Sequence, residues 1–211
     1  ELPARARGVE RGDGRGAAGG KKKRQMTECV WVNLLDVTLD QEFVGNKGAD
    51  SNLQFNIAYT VQTLNLYRST TVNLEQWQTA SGLLKNNTWY HVCMTANAAW
   101  TTVFGYVDGV QFTTTKVTGT GTVQTSGNPV TIGAGIPNGS SDQTKGKIDE
   151  VRLYNRTLSP DEIKVIYQSG LTNVNASQNN RLRDGLVGMW SFNGADMSGL
   201  TANDASGNGN N

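Results

Sequence analysis

Histidine is almost missing from this 211-residue chain: His91 stands alone. That points away from a metal enzyme built on clustered imidazoles, which draws two or three of them into one site. Two cysteines, Cys29 and Cys93, suit neither a zinc site nor a Cys-x-x-Cys redox pair. Charged residues reach only 18%, against roughly 25% in ordinary soluble domains. No apolar run approaches 18 residues, so no transmembrane helix and no membrane insertion is expected. No heptad or Gly-X-Y period is present, which excludes coiled coil and collagen. What the chain has in abundance is glycine, 25 residues, together with Thr and Asn, the composition of short strands joined by many turns.

The net charge of +1 conceals an uneven distribution. Residues 1–25 carry eight Lys/Arg and three Asp/Glu, whereas the remaining 186 residues carry 11 basic and 15 acidic groups. A basic stretch is the footprint of nucleic-acid binding only when aromatic or structural context supports it. Here there is no aromatic residue, no apolar periodicity and no apolar core of a signal peptide. The segment reads as a disordered basic tail outside the fold, and nucleic acid is not expected as a partner.

From Met26 the pattern changes to short alternating strands between turn residues. Strands are predicted at 28–34, 42–46, 53–59, 63–68, 89–95, 102–108, 110–114, 129–133, 147–154 and 186–192. Their β-branched and aromatic content and even spacing indicate an all-β, antiparallel β-sandwich rather than βαβ units. Asp108-Gly109, between Phe104-Gly105-Tyr106-Val107 and Val110-Gln111-Phe112, supplies the positive φ angles of a two-residue type I′ hairpin. One short helix is predicted from Ser159-Pro160-Asp161-Glu162: serine caps the free N–H groups, proline suits the first turn, and Glu162 completes a capping box. Gly170 is placed at its end. Residues 171–185 are polar and aperiodic, as in a linker.

The motifs Trp89-Tyr90-His91-Val92, Gly105-Tyr106-Val107-Asp108-Gly109, Pro129-Val130-Thr131-Ile132-Gly133 and Gly146-Lys147-Ile148-Asp149-Glu150-Val151-Arg152-Leu153-Tyr154 follow one another in order. They lead into Leu158-Ser159-Pro160-Asp161-Glu162-Ile163. This succession resembles the laminin-G-like and pentraxin-type domains of the concanavalin A-like lectin/glucanase jelly rolls, over residues 27–170. The resemblance implies a jelly roll with one short helix near its end. The tail, with Leu186-Val187-Gly188-Met189-Trp190-Ser191-Phe192 and Asp204-Ala205-Ser206-Gly207-Asn208-Gly209, resembles the opening of a second such domain at 186–211. The first domain reads as lacking its own opening strand, so the chain is expected to be a piece of a tandem array. Leu186–Phe192 then has two readings: the start of the second domain, or a strand folded back to complete the first beside Lys147–Tyr154.

Taken from the residues alone, Cys29 and Cys93 fit small buried hydrophobes. The resemblance implies a disulfide between them, since pentraxins bridge the matching strands, and with it an extracellular or cell-surface location. It also implies calcium, whose hard ion takes oxygen ligands from loops. The matching positions are Asp50 and Asn52 in one loop and Asp142 in another, an incomplete set that reads equally well as turn-forming residues.

Catalysis of the glucanase type needs closely set carboxylates on one strand face. Asp149 and Glu150 are neighbours and point to opposite faces of a strand. Asp40 and Glu42 share a face but lack a third acid and an aromatic setting. Among the five tryptophans, Trp31, Trp89 and Trp190 fall in strand motifs and are assigned to the core. Trp77 and Trp100 lie in less regular stretches and are the candidates for exposed rings that stack on sugar. These readings converge on a non-catalytic binding module for carbohydrate or a glycosylated surface, working beside other domains of the same parent chain. A structural spacer is the alternative, and a glucanase-type hydrolase the less favoured one.

Overall fold

The strand pattern closes into two layers. The computed structural model describes residues 25–46, 56–70, 74–120, 130–134, 143–171, 180–198 and 201–210. In chain order the strands are β1 (Met26–Leu34), β2 (Gln41–Gly45), β3 (Asn56–Thr60), β4 (Thr63–Ser69), β5 (Leu74–Ser81), β6 (Trp89–Ala96), β7 (Val103–Val107) and β8 (Val110–Thr113). Then come β9 (Thr115–Thr118), β10 (Thr131–Ile132), β11 (Gly146–Tyr154), helix α1 (Pro160–Leu171), β12 (Leu186–Trp190), β13 (Met197–Ser198) and β14 (Thr201–Ala202). One six-stranded antiparallel sheet runs β12-β11-β1-β6-β7-β8, and a second runs β10-β2-β3-β4-β5-β9. Among the described residues no helix is long and apolar enough to cross a membrane.

Alternation along β1 and β6 decides which side chains meet. Val30, Val32 and Leu34 from β1 and Val92, Met94 and Ala96 from β6 enter the core between the sheets, with Phe43, Tyr59, Leu64, Leu66 and Trp77 opposite. The residues of opposite parity form a second, smaller core. Cys29, Cys93, Tyr106 and Tyr154 lie on the outer face of the first sheet, beneath Ile163 and Ile166 of α1. Both faces of β1 are therefore covered, which explains its nearly unbroken burial. Cys29 and Cys93 face each other across β1 and β6 and are joined by a disulfide.

The local signals at two turns are realised in full. Asp108 and Gly109 both adopt positive φ, 51° and 76°, and Val107 pairs with Val110 across them. At α1 the Ser159 Oγ accepts the Glu162 N–H at 3.3 Å, and the Glu162 carboxylate accepts the Ser159 N–H at 2.9 Å. The helix does not stop at Gly170, however; it runs to Leu171. Glycine is needed there because a Cβ would lie 2.4 Å from the Trp31 indole nitrogen.

β12 pairs antiparallel with β11, Val151 opposite Trp190, and Trp190 is buried in the main core. The strand ends at Trp190, and Phe192 takes a positive φ of 53° instead of extending it. Its outer edge is closed by residues 204–210. The Asp204 carboxylate accepts the N–H groups of Met189, Ser206 and Asn210, while Asn208 and Asn210 donate to the carbonyls of Leu186 and Val187. An edge strand presented without such a cover is a template for unwanted pairing. Four strands were not anticipated: β5, which carries Gln76, Gln78 and a single Thr79, and the short β9, β13 and β14.

Candidate functional site

A groove of about 600 Å³ opens where β4 and β5 of the second sheet approach β8 and β9. Its described walls carry Thr63, Gln78, Ser81, Thr113 and Thr115, with Val61, Ala80 and the half-buried ring of Phe112 as the apolar elements. None of the described residues lining it is charged. The hydroxyls and amides continue across the outer face of the second sheet as one network. Asn65 donates to the Thr63 carbonyl at 2.7 Å, to the Thr63 hydroxyl at 2.9 Å and to the Thr60 hydroxyl at 2.8 Å. Gln76 donates to the Asn65 amide oxygen at 2.9 Å and to the Tyr67 phenol at 3.2 Å, and Tyr67 and Thr60 share a bond of 2.9 Å. Side chains tied to one another in this way are held in single orientations.

The rim of the groove is strained. The β3–β4 hairpin turns on Val61 and Gln62, with φ of 50° and 59°. A β-branched residue in the left-handed region is an outlier that persists only where its surroundings impose it. Asp40 imposes it here: its carboxylate accepts the Val61 N–H at 3.0 Å. This is a turn-holding role for Asp40, and no Gly or Asn marks the hairpin in the sequence.

The two candidate sugar-stacking rings are not exposed. Trp77 is 4% exposed and Trp100 6%, and both belong to the main core. Their centroids lie 5.2 Å apart, and the Arg68 guanidinium sits 4.3 Å from the Trp100 ring and 5.4 Å from Trp77. Two features turn them inward. Trp77 shares the core-facing parity of β5, and Trp100 sits at φ 56° in a turn held by the Asn97 side chain, which accepts the Thr101 N–H at 2.9 Å. Trp77 also lines a smaller cavity of about 240 Å³ with Thr101, Thr114 and Lys116. Arg68 is ion-paired with Glu75, which Lys116 reaches at 2.6 Å. Burial alone would raise the Glu75 pKa, but hydrogen bonds from Lys116 and Arg68 outweigh it and lower the value.

Trp31 and Trp190 are in cores, as their strand motifs suggested. Trp89 is not: it is 41% exposed, because its parity is that of Cys93 and α1 does not reach its end of β6. Asp50, Asn52 and Asp142 lie outside the described residues. His91 packs 5.3 Å from Trp31 and 6.1 Å from Tyr167, beside the Cys93 sulfur at 3.7 Å. Burial, helped by the Arg152 charge, pushes its pKa down to about 3, so the ring is neutral. Cys29, His91 and Cys93 are close enough to hold a metal, but both sulfurs are committed to the disulfide. At Glu150 a β-bulge with φ 50° interrupts the alternation of β11; Asp149 accepts the Glu150 N–H, and Glu150 pairs with Arg152 at 2.7 Å.

Residues 17–164 match the laminin-G-type family model of the concanavalin A-like lectin/glucanases superfamily. Among solved structures, a candidate carbohydrate-binding protein from Bacteroides ovatus superposes with a TM-score of 0.65 at 18% identity, over 90% of this chain. This chain spans about half, 52%, of that protein. A heptameric pentraxin from Limulus polyphemus gives 0.53 at 18% identity, over 68% of this chain and 70% of that one. A Ruminococcus gnavus sialidase module, CBM40, bound to sialyllactose gives 0.55 at 15% identity, over 70% and 84%. No curated protein sequence matches.

Proposed function

This chain belongs to the concanavalin A-like lectin/glucanases superfamily, and from that premise we propose that its β-sandwich is a non-catalytic carbohydrate-binding module of a larger extracellular or cell-surface protein. One observation carries the reading: the groove of about 600 Å³ lined by hydroxyl and amide side chains around Phe112, without a charge. Sugars present hydroxyls to fixed neutral donors and acceptors and a C–H face to an aromatic ring, and this groove offers both. A hydrolase of the glucanase branch requires two carboxyl groups flanking the bond, and none of the groove's described residues carries one. The carbohydrate-binding neighbours from Bacteroides ovatus and Ruminococcus gnavus support the same ligand class. The disulfide supports an oxidising compartment.

The test is a glycan array probed with the full chain, once in calcium and once in EDTA. The two buffers address the calcium implied at Asp50, Asn52 and Asp142. Glycan binding by the wild type, lowered at least about tenfold (some 1.4 kcal/mol) in Gln78→Ala, is the expected result. Binding that EDTA removes assigns calcium to the module. No binding by a folded sample in either buffer refutes the reading and leaves a structural spacer.

A further inference from the structure

The outer face of the first sheet carries a row that helix α1 leaves open. In the register of β6, β1 and β11, Trp89 lies opposite Asn33, and Asn33 lies opposite Lys147. Directly paired residues of an antiparallel sheet share a face, so indole, amide and ammonium stand side by side. The preceding row on that face, His91, Trp31 and Asp149, includes two rings that α1 packs against. Tyr167 stacks on Trp31 at 5.7 Å, and Gly170 lets the helix backbone rest on the indole. The helix ends one residue later, at Leu171. One row further along the sheet, the same face meets solvent: Trp89 and Lys147 are exposed and Asn33 is half-buried. Leu35, also exposed, extends the apolar part past Trp89's neighbour Asn33.

We propose that this row is a binding site for a carboxylated saccharide, separate from the neutral groove. The Trp89 indole takes the C–H face of the pyranose, the Asn33 amide bonds a ring hydroxyl, and the Lys147 ammonium pairs with the carboxylate. Trp89 and Lys147 stand two strand spacings apart, roughly 10 Å, which one stacked sugar and its carboxylate span with help from the lysine stem. Charge selects the ligand class. Lys147 is the cation within the row, and Lys145 follows close by, where its carbonyl accepts the Leu35 N–H at 2.9 Å. Of the neighbouring acids, Asp36 offsets part of the Lys145 charge and Asp149 bonds its own strand, so Lys147 is the cation that carries the selection. The Asp36 carboxylate accepts the Thr38 N–H and hydroxyl, and Asp149 accepts the Glu150 N–H. A neutral sugar satisfies the indole and the amide but leaves Lys147 without a counter-charge.

The experiment titrates the full chain with matched panels: galacturonate, glucuronate and sialic acid oligosaccharides, each against its neutral counterpart, at low and high salt. Tryptophan fluorescence and calorimetry report binding, and thermal melting checks each variant's fold. The expected result is a preference of about tenfold or more for at least one carboxylated member, weakened by salt. Lys147→Gln is expected to abolish the preference and Trp89→Ala to abolish the binding, both with wild-type melting. Gln78→Ala in the groove leaves this binding unchanged, which separates its failure from that of the groove. Three results overturn the proposal: no carboxylated saccharide preferred over its neutral counterpart, wild-type binding in Trp89→Ala, or a concentration-dependent dimer that Trp89→Ala dissolves.

Discussion

Glu28 is a carboxyl group in the wrong place for an ion, and the pH dependence of stability should show it. It shares the inward parity of Val30 and Val32 on β1, and its cross-strand neighbours Met94 and Leu153 both belong to the inter-sheet core. The residue is 0% exposed, and neither carboxyl oxygen has a hydrogen-bond partner. Ionising it there is far more costly than in water, so burial pushes its pKa well above the ordinary 4.5. In the unfolded chain the proton leaves near 4.5, while the folded protein holds it. Stability is therefore fully present below 4.5 and falls as pH rises, by about 1.4 kcal/mol per unit while Glu28 remains protonated. His91 works in the opposite sense. It titrates near 6.5 when unfolded and only at about 3 when folded, so its contribution grows with pH between those values. While Glu28 remains protonated in the folded state, its slope and that of His91 oppose each other from about 4.5 up to the unfolded His91 value of 6.5. Asp108 and Asp149, raised by burial, and Asp204, held down to about 2 against burial by hydrogen bonds from Ser206, Met189 and Asn210, are common to wild type and variant. The difference between wild type and Glu28→Gln isolates the group. Glutamine keeps the volume and removes the proton, so the variant should gain on wild type by about 1.4 kcal/mol per pH unit. In a chain of this length that is roughly 3–6 °C of melting temperature per unit. The assay is thermal unfolding of both proteins from pH 4 to 8, where the curves should start to diverge above the ordinary carboxyl value of 4.5. Parallel curves would refute the reasoning, because they would mean that Glu28 ionises alike in both states.

Two further perturbations test the outer face of the first sheet. Replacing Cys29 and Cys93 together by alanine opens a loop with a sequence separation of 64. In the chain-entropy view this costs about 4 kcal/mol, roughly 8–16 °C in a thermal melt. The same cysteines are fully buried, so reductant should act on the native protein only at the rate of unfolding, as timed by thiol labelling. Gly170→Ala adds a better helix former, worth about 1 kcal/mol in an open helix, yet its Cβ meets the Trp31 ring at 2.4–2.9 Å. A lower melting temperature than wild type is expected, and a higher one would show that the helix end does not rest on Trp31.

The parts of the fold legible in the sequence are those that a few adjacent residues decide. Asp108-Gly109 could make only one kind of hairpin, and Ser159 with Glu162 fixes the start of α1 whatever lies beneath it. The misplaced parts depend on partners distant in sequence. Strand β5 carries Gln76, Gln78 and Thr79, and little but Trp77 reveals that one side of it is core. Val61-Gln62 lacks every residue type that announces a type I′ turn, and it is held in that conformation by Asp40 from another strand end. Gly170 suggests a helix end in sequence, whereas in the fold it marks a close approach to an indole.

The tryptophans show most sharply why the site was harder to read than the fold. Trp89 and Trp77 both lie on strands, although only that of Trp89 was predicted, and alternation gives each a face. Alternation does not say what covers that face. For Trp77 the cover is the opposite sheet with Arg68 and Trp100; for Trp89 it is a helix that ends at Leu171, too early to reach it. Exposure of a ring on a two-layered sandwich is thus set by the length of the covering element rather than by the strand's own pattern. The neutral groove follows the same logic, since Thr63, Gln78, Ser81 and Phe112 are ordinary surface-strand residues until two sheet edges approach one another. A binding face in such a fold is what the covering layers leave open, and only the assembled sheets show where that is.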